Sequence, residues 1–554
     1  MKSTLSFIIL TLAIVFSVSA QPKTKENQQL SNAIDKILEE DYKADGPGVA
    51  VLVAKNGNIL YHKGIGMANL ELGVPMQADM IFRIGSITKQ FTAVAILQLM
   101  EQGKLSLEDE ITKFIPDYPT HDHKITIHHL LTHTSGIASY TGMKDWTPEV
   151  MKKDFTPLEM IDFFKDQPID FEPGEEWRYN NSGYFLLGYI IEKVSGQTYE
   201  DYVSKHLFEP AGMVNSLYGN DRNILKNRAY GYQQGEHGYE NANFLSMTQP
   251  YAAGSLMSTV EDMFRWNRTL ISGKVVSQES LALAWTNYTL NNGSMINYGY
   301  GWMPGDVQGS PMIAHGGGIN GFMTHEAYFP AEDLYVVLFL NCTCIGTEAA
   351  HKIAALALGK PFDYKEVEIE ASKLEEYTGV YQNSSGNQRN IYIEDGKLIS
   401  QRVGGGTFRI IPFEAEKFFF ENSLTKIEFT RNRLNEVAAG IMKSSTGLPE
   451  TWEKTELPLP EKRREIEVPE EILKTHVGNY ELMPGFVLYI TLEDGKLMAQ
   501  ATGQSTNELF AESESVFFLK VVEASLEFIK DENGKTVALI LKQGGQELEG
   551  KRIQ

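Results

Sequence analysis

The stretch FRIGSITKQFTAVAILQLMEQGKL, Phe82 to Leu105, decides how the rest of the chain is read. Its apolar residues Phe91, Val94, Ala95, Leu97 and Met100 recur mainly at helical spacing, and Gly103 marks a stop. Ser86-Ile87-Thr88-Lys89 stands at the head of this pattern, so Ser86 is expected at a helix N-terminus with Lys89 one turn on, on the same face. Free N–H groups and the positive end of the helix dipole would surround the hydroxyl. Those are the needs of acyl transfer: a base beside a nucleophile, and donors for an oxyanion. The plain alternative is an N-cap serine with a solvated lysine.

A second Ser-x-x-Lys, Ser423 to Lys426 in FFFENSLTKIEF, tests that reading. Its flanks alternate as strands do. In an extended strand residues i and i+3 point to opposite faces, so Lys426 could not serve Ser423. ENS reads as a turn.

Working outward, GPGVAVLVAKNGNILYHKGIGMAN (Gly46 to Asn69) holds two β-rich runs joined by Asn56-Gly57-Asn58, a strong hairpin signal. GYFLLGYIIEKVSG (Gly183 to Gly196) reads as a helix. PMIAHGGGINGFMTHEAYFP and EDLYVVLFLN read as adjacent strands, and GTEAAHKIAALALG as a short helix after them. Past about residue 360 the chain becomes strand-like and repeats itself at an offset of 99: LEEYTGVY (374) answers LKTHVGNY (473), and EDGKL (394) recurs at 493. This predicts two homologous antiparallel β-barrel domains, 368–456 and 465–554, joined by PLPEKRREIEVPEE.

The N-terminal MKSTLSFIILTLAIVFSVSAQ has the charge, short apolar core and small-residue site of a signal peptide (1–20), with cleavage expected after Ala20. The mature chain is therefore expected to be soluble, periplasmic or secreted, with no transmembrane segment. A net charge of -22 argues against nucleic acid as a partner, because phosphates would be repelled. Cys342 and Cys344 cannot frame a fold. Two packed thiols are expected, with a local disulfide and a metal site as alternatives. His121, His123, His128, His129 and His133 lack a metal-binding pattern with carboxylates at matched spacing, so no metal or cofactor is expected.

Downstream of SITK come LLTHTSG (130–136), FEPGEEWRYNNSGYFLLGYIIEKVSG (171–196), AAGSLMSTVEDMFRW (252–266) and YGYGW…HGGGINGF (298–322). In this order they resemble the serine β-lactamase and penicillin-recognising family. The likeness is greatest to its class C-like hydrolases, which include D-aminopeptidases, DD-carboxypeptidases and esterases. It covers roughly Gly46 to Leu358, within a catalytic domain spanning 21–360. The two C-terminal β domains are similar to the barrels attached to D-aminopeptidases.

The resemblance implies an α+β fold: an antiparallel sheet flanked by helices, beside a helical lobe, with the site between them. It implies Ser86 as the nucleophile of an acyl-enzyme and Lys89 in the activating proton network. Tyr179 would be the partner base that passes the proton to the leaving group. Asn181 would orient Lys89 and bind the substrate amide. The oxyanion hole would be the N–H groups of Ser86 and Gly318, next to Gly317.

The family's third motif is often Lys-Thr-Gly. Here it is His315-Gly316-Gly317. A histidine near its pKa is neutral or switchable, unlike a lysine, which points away from strong β-lactam or carboxylate recognition. The expected activity is hydrolysis of a small amide, peptide or ester, with cell-wall fragments among the candidate partners. The alternative is a penicillin-recognising sensor that binds without turnover.

Overall fold

The computed structural model describes residues 25–220, 222–235, 238–444, 449–460, 465–483, 486–502, 504, 506–522, 524–543 and 546–553. The expected signal peptide lies outside them. Among them no helix is long and apolar enough to cross a membrane.

The central sheet is built from β1 (Val49–Lys55), β2 (Asn58–Ile65), β3 (Met303–Val307), β4 (Ser310–Ile319), β5 (Phe322–Phe329) and β6 (Leu334–Leu340). Its spatial order is β3-β4-β5-β6-β1-β2, every pair antiparallel. Asn56 and Gly57, both at positive φ, make the tight turn between β1 and β2 that the Asn-Gly signal predicts. The chain leaves the sheet after β2 and returns only at β3, so the strands flanking β1 come from opposite ends of the domain.

Both faces of β1 and β6 are buried. On one side α1 (Lys25–Asp41) and α5 (Glu348–Ala357) cover a cluster containing Ile34, Leu38, Val51, Val336 and Ile353. On the other lie α2 (Thr88–Glu101), α3 (Asn181–Ser195) and α4 (Val260–Ile271), in a larger core holding Phe91, Leu186, Trp266 and Phe339. The 14 residues of α2 are buried on nearly every face, which is why its apolar pattern is only loosely one-sided. Gly103, at φ +69°, follows its end, and Gly196, at φ +72°, closes α3.

At the end of β6, Cys342 and Cys344 are joined as a disulfide. The expectation of two packed thiols is corrected to the local alternative. Cys342 is fully buried, and the two-residue spacing holds the Cα atoms 5.2 Å apart, within bridging range.

Beyond α5, eight antiparallel strands from Gly379–Asn383 to Glu450–Lys454 close into a barrel around Tyr381, Phe418, Phe429 and Trp452. The second repeat is a nine-stranded antiparallel sheet. Its edge strands, Asn507–Glu508 and Phe510–Ala511, are consecutive in the chain, where the first repeat has one unbroken strand, Thr407–Glu414. Gly379 faces Ile391 in the first repeat and Gly478 faces Ile490 in the second. Phe418 likewise faces Ile427, and Phe517 faces Leu526. The offset of 99 is thus a shared strand register.

Candidate active site

Ser86 is delivered by a short strand and a constrained turn. Phe82–Arg83 pairs with Leu256–Ser258, and Ile84 N–H donates to Leu256 C=O at 3.0 Å. Gly85 then takes φ +51°, and a Cβ there would stand 3.1 Å from both N and O of Gly318. Glycine therefore lets the serine turn press against β4. Ser86 sits in the one-turn 3₁₀ helix Gly85–Ile87, and α2 begins at Thr88, slightly later than the expected placement of Ser86 on the helix end itself. No side chain caps either helix, so Ser86 is not an N-cap residue.

Lys89 is fully buried. Its Nζ lies 3.2 Å from Ser86 Oγ, 2.9 Å from Asn181 Oδ1 and 2.8 Å from the Ala253 carbonyl. It also stands 4.7 Å from the centre of the Tyr179 ring. Burial holds the amine well below the usual lysine range, because desolvation penalises its charged form.

Asn180 caps α3 through its side chain, which accepts from Gly183 N–H at 2.8 Å. Asn181 is the first residue of that helix. Its Nδ2 donates to Thr141 Oγ1 at 3.2 Å, and its N–H donates to Ser139 Oγ at 3.2 Å. The Tyr179 hydroxyl is buried and makes no hydrogen bond of good geometry among the described residues. Burial raises its pKa above the usual tyrosine value, and the nearby Ser86 hydroxyl works against that rise.

His315, Gly317 and Gly318 lie on β4. A Cβ on Gly317 would stand 2.1 Å from the Ile84 carbonyl and 2.3 Å from Thr324 Oγ1, so only glycine fits between the strand and the serine turn. Thr324 Oγ1 donates to Ile84 C=O at 2.9 Å and ties β5 to the same turn. These contacts put the Gly318 backbone beside Gly85 and Ser86.

His315 is brought into the site with both ring nitrogens occupied. Nδ1–H donates to the Gly316 carbonyl, and Nε2 accepts from Tyr298 O–H at 2.9 Å. Burial, with the Lys89 charge second, pushes its pKa down to about 3. At neutral pH the ring is an uncharged positioning group.

His133 escaped the sequence reading, which weighed it only as a metal ligand. It is buried, at φ +61°, and its ring centre lies 4.4 Å from that of Tyr179 and 4.6 Å from that of Tyr298. Its Nδ1 accepts from Asn180 N–H at 3.1 Å. It thus holds the residue between Tyr179 and Asn181. Its place in LLTHTSG was the available signal. The other histidines of that segment do not converge on it: His123 pairs with Glu172, and His128 with Tyr300. Among the described residues no group of three or more His, Cys, Asp or Glu side chains is set to hold a metal ion.

The second Ser-x-x-Lys is separated from this chemistry. Ser423 lies in a turn after Asn422 (φ +57°), and Lys426 opens a strand. Lys426 Nζ donates to Gln308 Oε1 at 2.6 Å, and Tyr364 O–H donates to the same oxygen at 2.7 Å. The motif docks the first barrel on the β3–β4 turn of the catalytic domain.

Comparison with known proteins places this geometry. Residues 32–359 match the Beta-lactamase family, and residues 462–552 match a domain of unknown function, DUF3471. A penicillin-binding protein of Bacillus subtilis (strain 168) is 30% identical over 411 residues, covering 69% of this chain and 89% of that protein. The octameric penicillin-binding protein homologue from Pyrococcus abyssi superposes with a TM-score of 0.54 at 28% identity, covering 77% of this chain and 99% of that one. The D-amino acid amidase from Ochrobactrum anthropi SV3, solved with D-phenylalanine, also gives 0.54, at 25% identity over 60% of this chain and 99% of its own. With more than half of its length matched and its fold shared with these proteins, the chain belongs to the β-lactamase family of serine hydrolases.

Proposed function

We propose that this protein is an exported hydrolase in which Ser86 forms an acyl-enzyme with a small amide, peptide or ester. The observation that carries the reading is the environment of Lys89. A neutral amine has two N–H bonds and one lone pair. The acceptors Asn181 Oδ1 and Ala253 C=O take the two hydrogens. The lone pair is left toward Ser86 Oγ, 3.2 Å away. Burial favours this neutral form, so Lys89 serves as the base that receives the Ser86 proton.

Attack forms the bond from Ser86 Oγ to the acyl carbon and moves negative charge to the carbonyl oxygen, where the N–H groups of Ser86 and Gly318 would receive it. Each such donor is worth about 10²–10³ in rate. Tyr179, whose pKa is raised by burial, enters as a neutral phenol. It would give its proton to the departing amine or alcohol and regain one from Lys89. Water then attacks the acyl-enzyme and the proton path runs in reverse. The neutral His315 offers no fixed charge to a substrate carboxylate. This favours amides and esters of D-aminopeptidase or esterase type over β-lactams and carboxy-terminal dipeptides.

The test is labelling by a fluorophosphonate serine probe together with hydrolysis of an activated ester. Both should be lost in Ser86→Ala. Normal labelling of that variant would overturn the assignment, and a lasting β-lactam adduct on the unsubstituted protein, seen by intact mass without ester turnover, would favour the sensor alternative.

A further inference from the structure

The duplicated C-terminal barrels provide an internal comparison: what one repeat has and the other lacks is not required by the fold. On the strand Gln388–Glu394, Arg389 faces Tyr381. The matching pair in the second repeat is Leu488 and Tyr480. Ser400 faces Ile391, where the second repeat has Ala499 facing Ile490. Trp452 faces Gly440, where the second repeat has Gly550 facing Leu539. Phe420 answers Leu519 at the common offset. One repeat thus carries a cation, a hydroxyl and two aromatic rings at positions where its copy is aliphatic or small.

The arginine is well inside the closed barrel. Arg389 is 7% exposed. Its guanidinium lies 4.9 Å from the Trp452 ring centre and 5.5 Å from that of Phe420. Nη1 donates to Ser400 Oγ at 2.8 Å, while Nε is buried with no acceptor among the described residues. The nearby Glu450 already accepts from Asn383 Nδ2 at 2.7 Å and from Trp452 Nε1 at 2.8 Å, and it makes no ion pair with Arg389. Burying a charge without an ionic partner costs several kcal/mol. Even so, burial lowers the Arg389 pKa only to about 10, so the cation persists at neutral pH.

We propose that the first barrel binds a small carboxylate borne on an aromatic or aliphatic group, with the buried Arg389 as its anchor. The Nε–H and an Nη–H form a planar fork that matches the two oxygens of a carboxylate, and the flanking rings, with the core residues Ile391 and Leu398 beside them, make the surroundings apolar. The site is separate from Ser86 and does not depend on the hydrolase reading.

The test is calorimetric titration of the full chain carrying Ser86→Ala, which prevents turnover, with benzoate and with its neutral isostere benzamide. Benzoate should bind at least about tenfold more tightly than benzamide, as expected for a charge-assisted bidentate contact. The double variant Arg389→Leu with Ser400→Ala installs residues that the second repeat already accommodates in the same register. It should weaken benzoate binding by about tenfold or more while leaving the circular dichroism melt in place. Absence of benzoate binding, equal binding of the two compounds, or undiminished binding in the double variant would each refute the proposal. The benzoate–benzamide comparison decides the question even if the double variant does not fold.

Discussion

Lys89 Nζ donates to Asn181 Oδ1 at 2.9 Å, joining the first turn of α2 to the first residue of α3 across 92 positions of sequence. Asn181→Ala should free one amine hydrogen, and Lys89 would no longer hold its lone pair toward Ser86. A fall in kcat of about 10²-fold is expected, at the low end of general-base effects, with little change in thermal stability. Steady-state kinetics on an ester and an amide check it; a change confined to KM would mean that Asn181 only binds substrate.

Tyr179→Phe separates proton donation from packing, since it keeps the ring against Lys89 and His133. Loss of about 10²–10⁴-fold is expected on an anilide, whose leaving amine needs a proton. A p-nitrophenyl ester should lose far less, because its leaving group departs as an anion. Equal losses on both substrates would show that the hydroxyl is not the leaving-group acid.

The pH profile should have an acid limb only. Burial lowers the Lys89 pKa, and activity disappears as falling pH protonates the amine. Burial raises Tyr179, so its hydroxyl stays protonated through the ordinary tyrosine range and adds no alkaline limb below it. Stability has its own acid dependence. The His315 pKa is about 3 in the folded chain and about 6.5 when unfolded, so between these values the unfolded state binds a proton that the native state refuses. Its contribution is intact above about pH 6.5 and is lost as pH falls toward 3. Between pH 7 and 5, His315→Gln should reduce the loss of unfolding free energy by about 2 kcal/mol, read from urea midpoints.

His133→Phe retains an aromatic ring beside Tyr179 but leaves the Asn180 N–H without its acceptor. An unsatisfied buried donor costs about 1–3 kcal/mol. Because Asn180 lies between Tyr179 and Asn181, kcat should fall about tenfold as well, with partial recovery in His133→Gln, which restores an acceptor. A lower melting temperature with unchanged kcat would make His133 purely structural.

Ser423→Ala should leave probe labelling and turnover unchanged. Lys426→Ala removes the bond to Gln308 and the contact with the Tyr364 ring. It should speed proteolytic cleavage between the catalytic domain and the first barrel without altering Ser86 labelling. Loss of labelling in either variant would contradict the docking role.

Local pattern was enough for the Asn56-Gly57 hairpin, the paired strands β4 and β5, the extent of α3 and the duplicated barrels, because turn chemistry, periodicity and repetition are properties of neighbouring residues. It was also enough to separate Ser86 from Ser423, since helix and strand present i and i+3 differently. It was not enough for Cys342 and Cys344, whose two-residue spacing was read as packed thiols and which the structure joins as a disulfide at the end of β6. Nor did it show what the histidines do. The resemblance carried by SITK, YNN and HGG implied which residues to consider together. Only the tertiary structure decided their state: it buries Lys89 among carbonyl acceptors, closes both nitrogens of His315 and brings His133 beneath Tyr179. Protonation depends on solvent exclusion and on partners brought from distant segments, and a linear sequence does not record those distances.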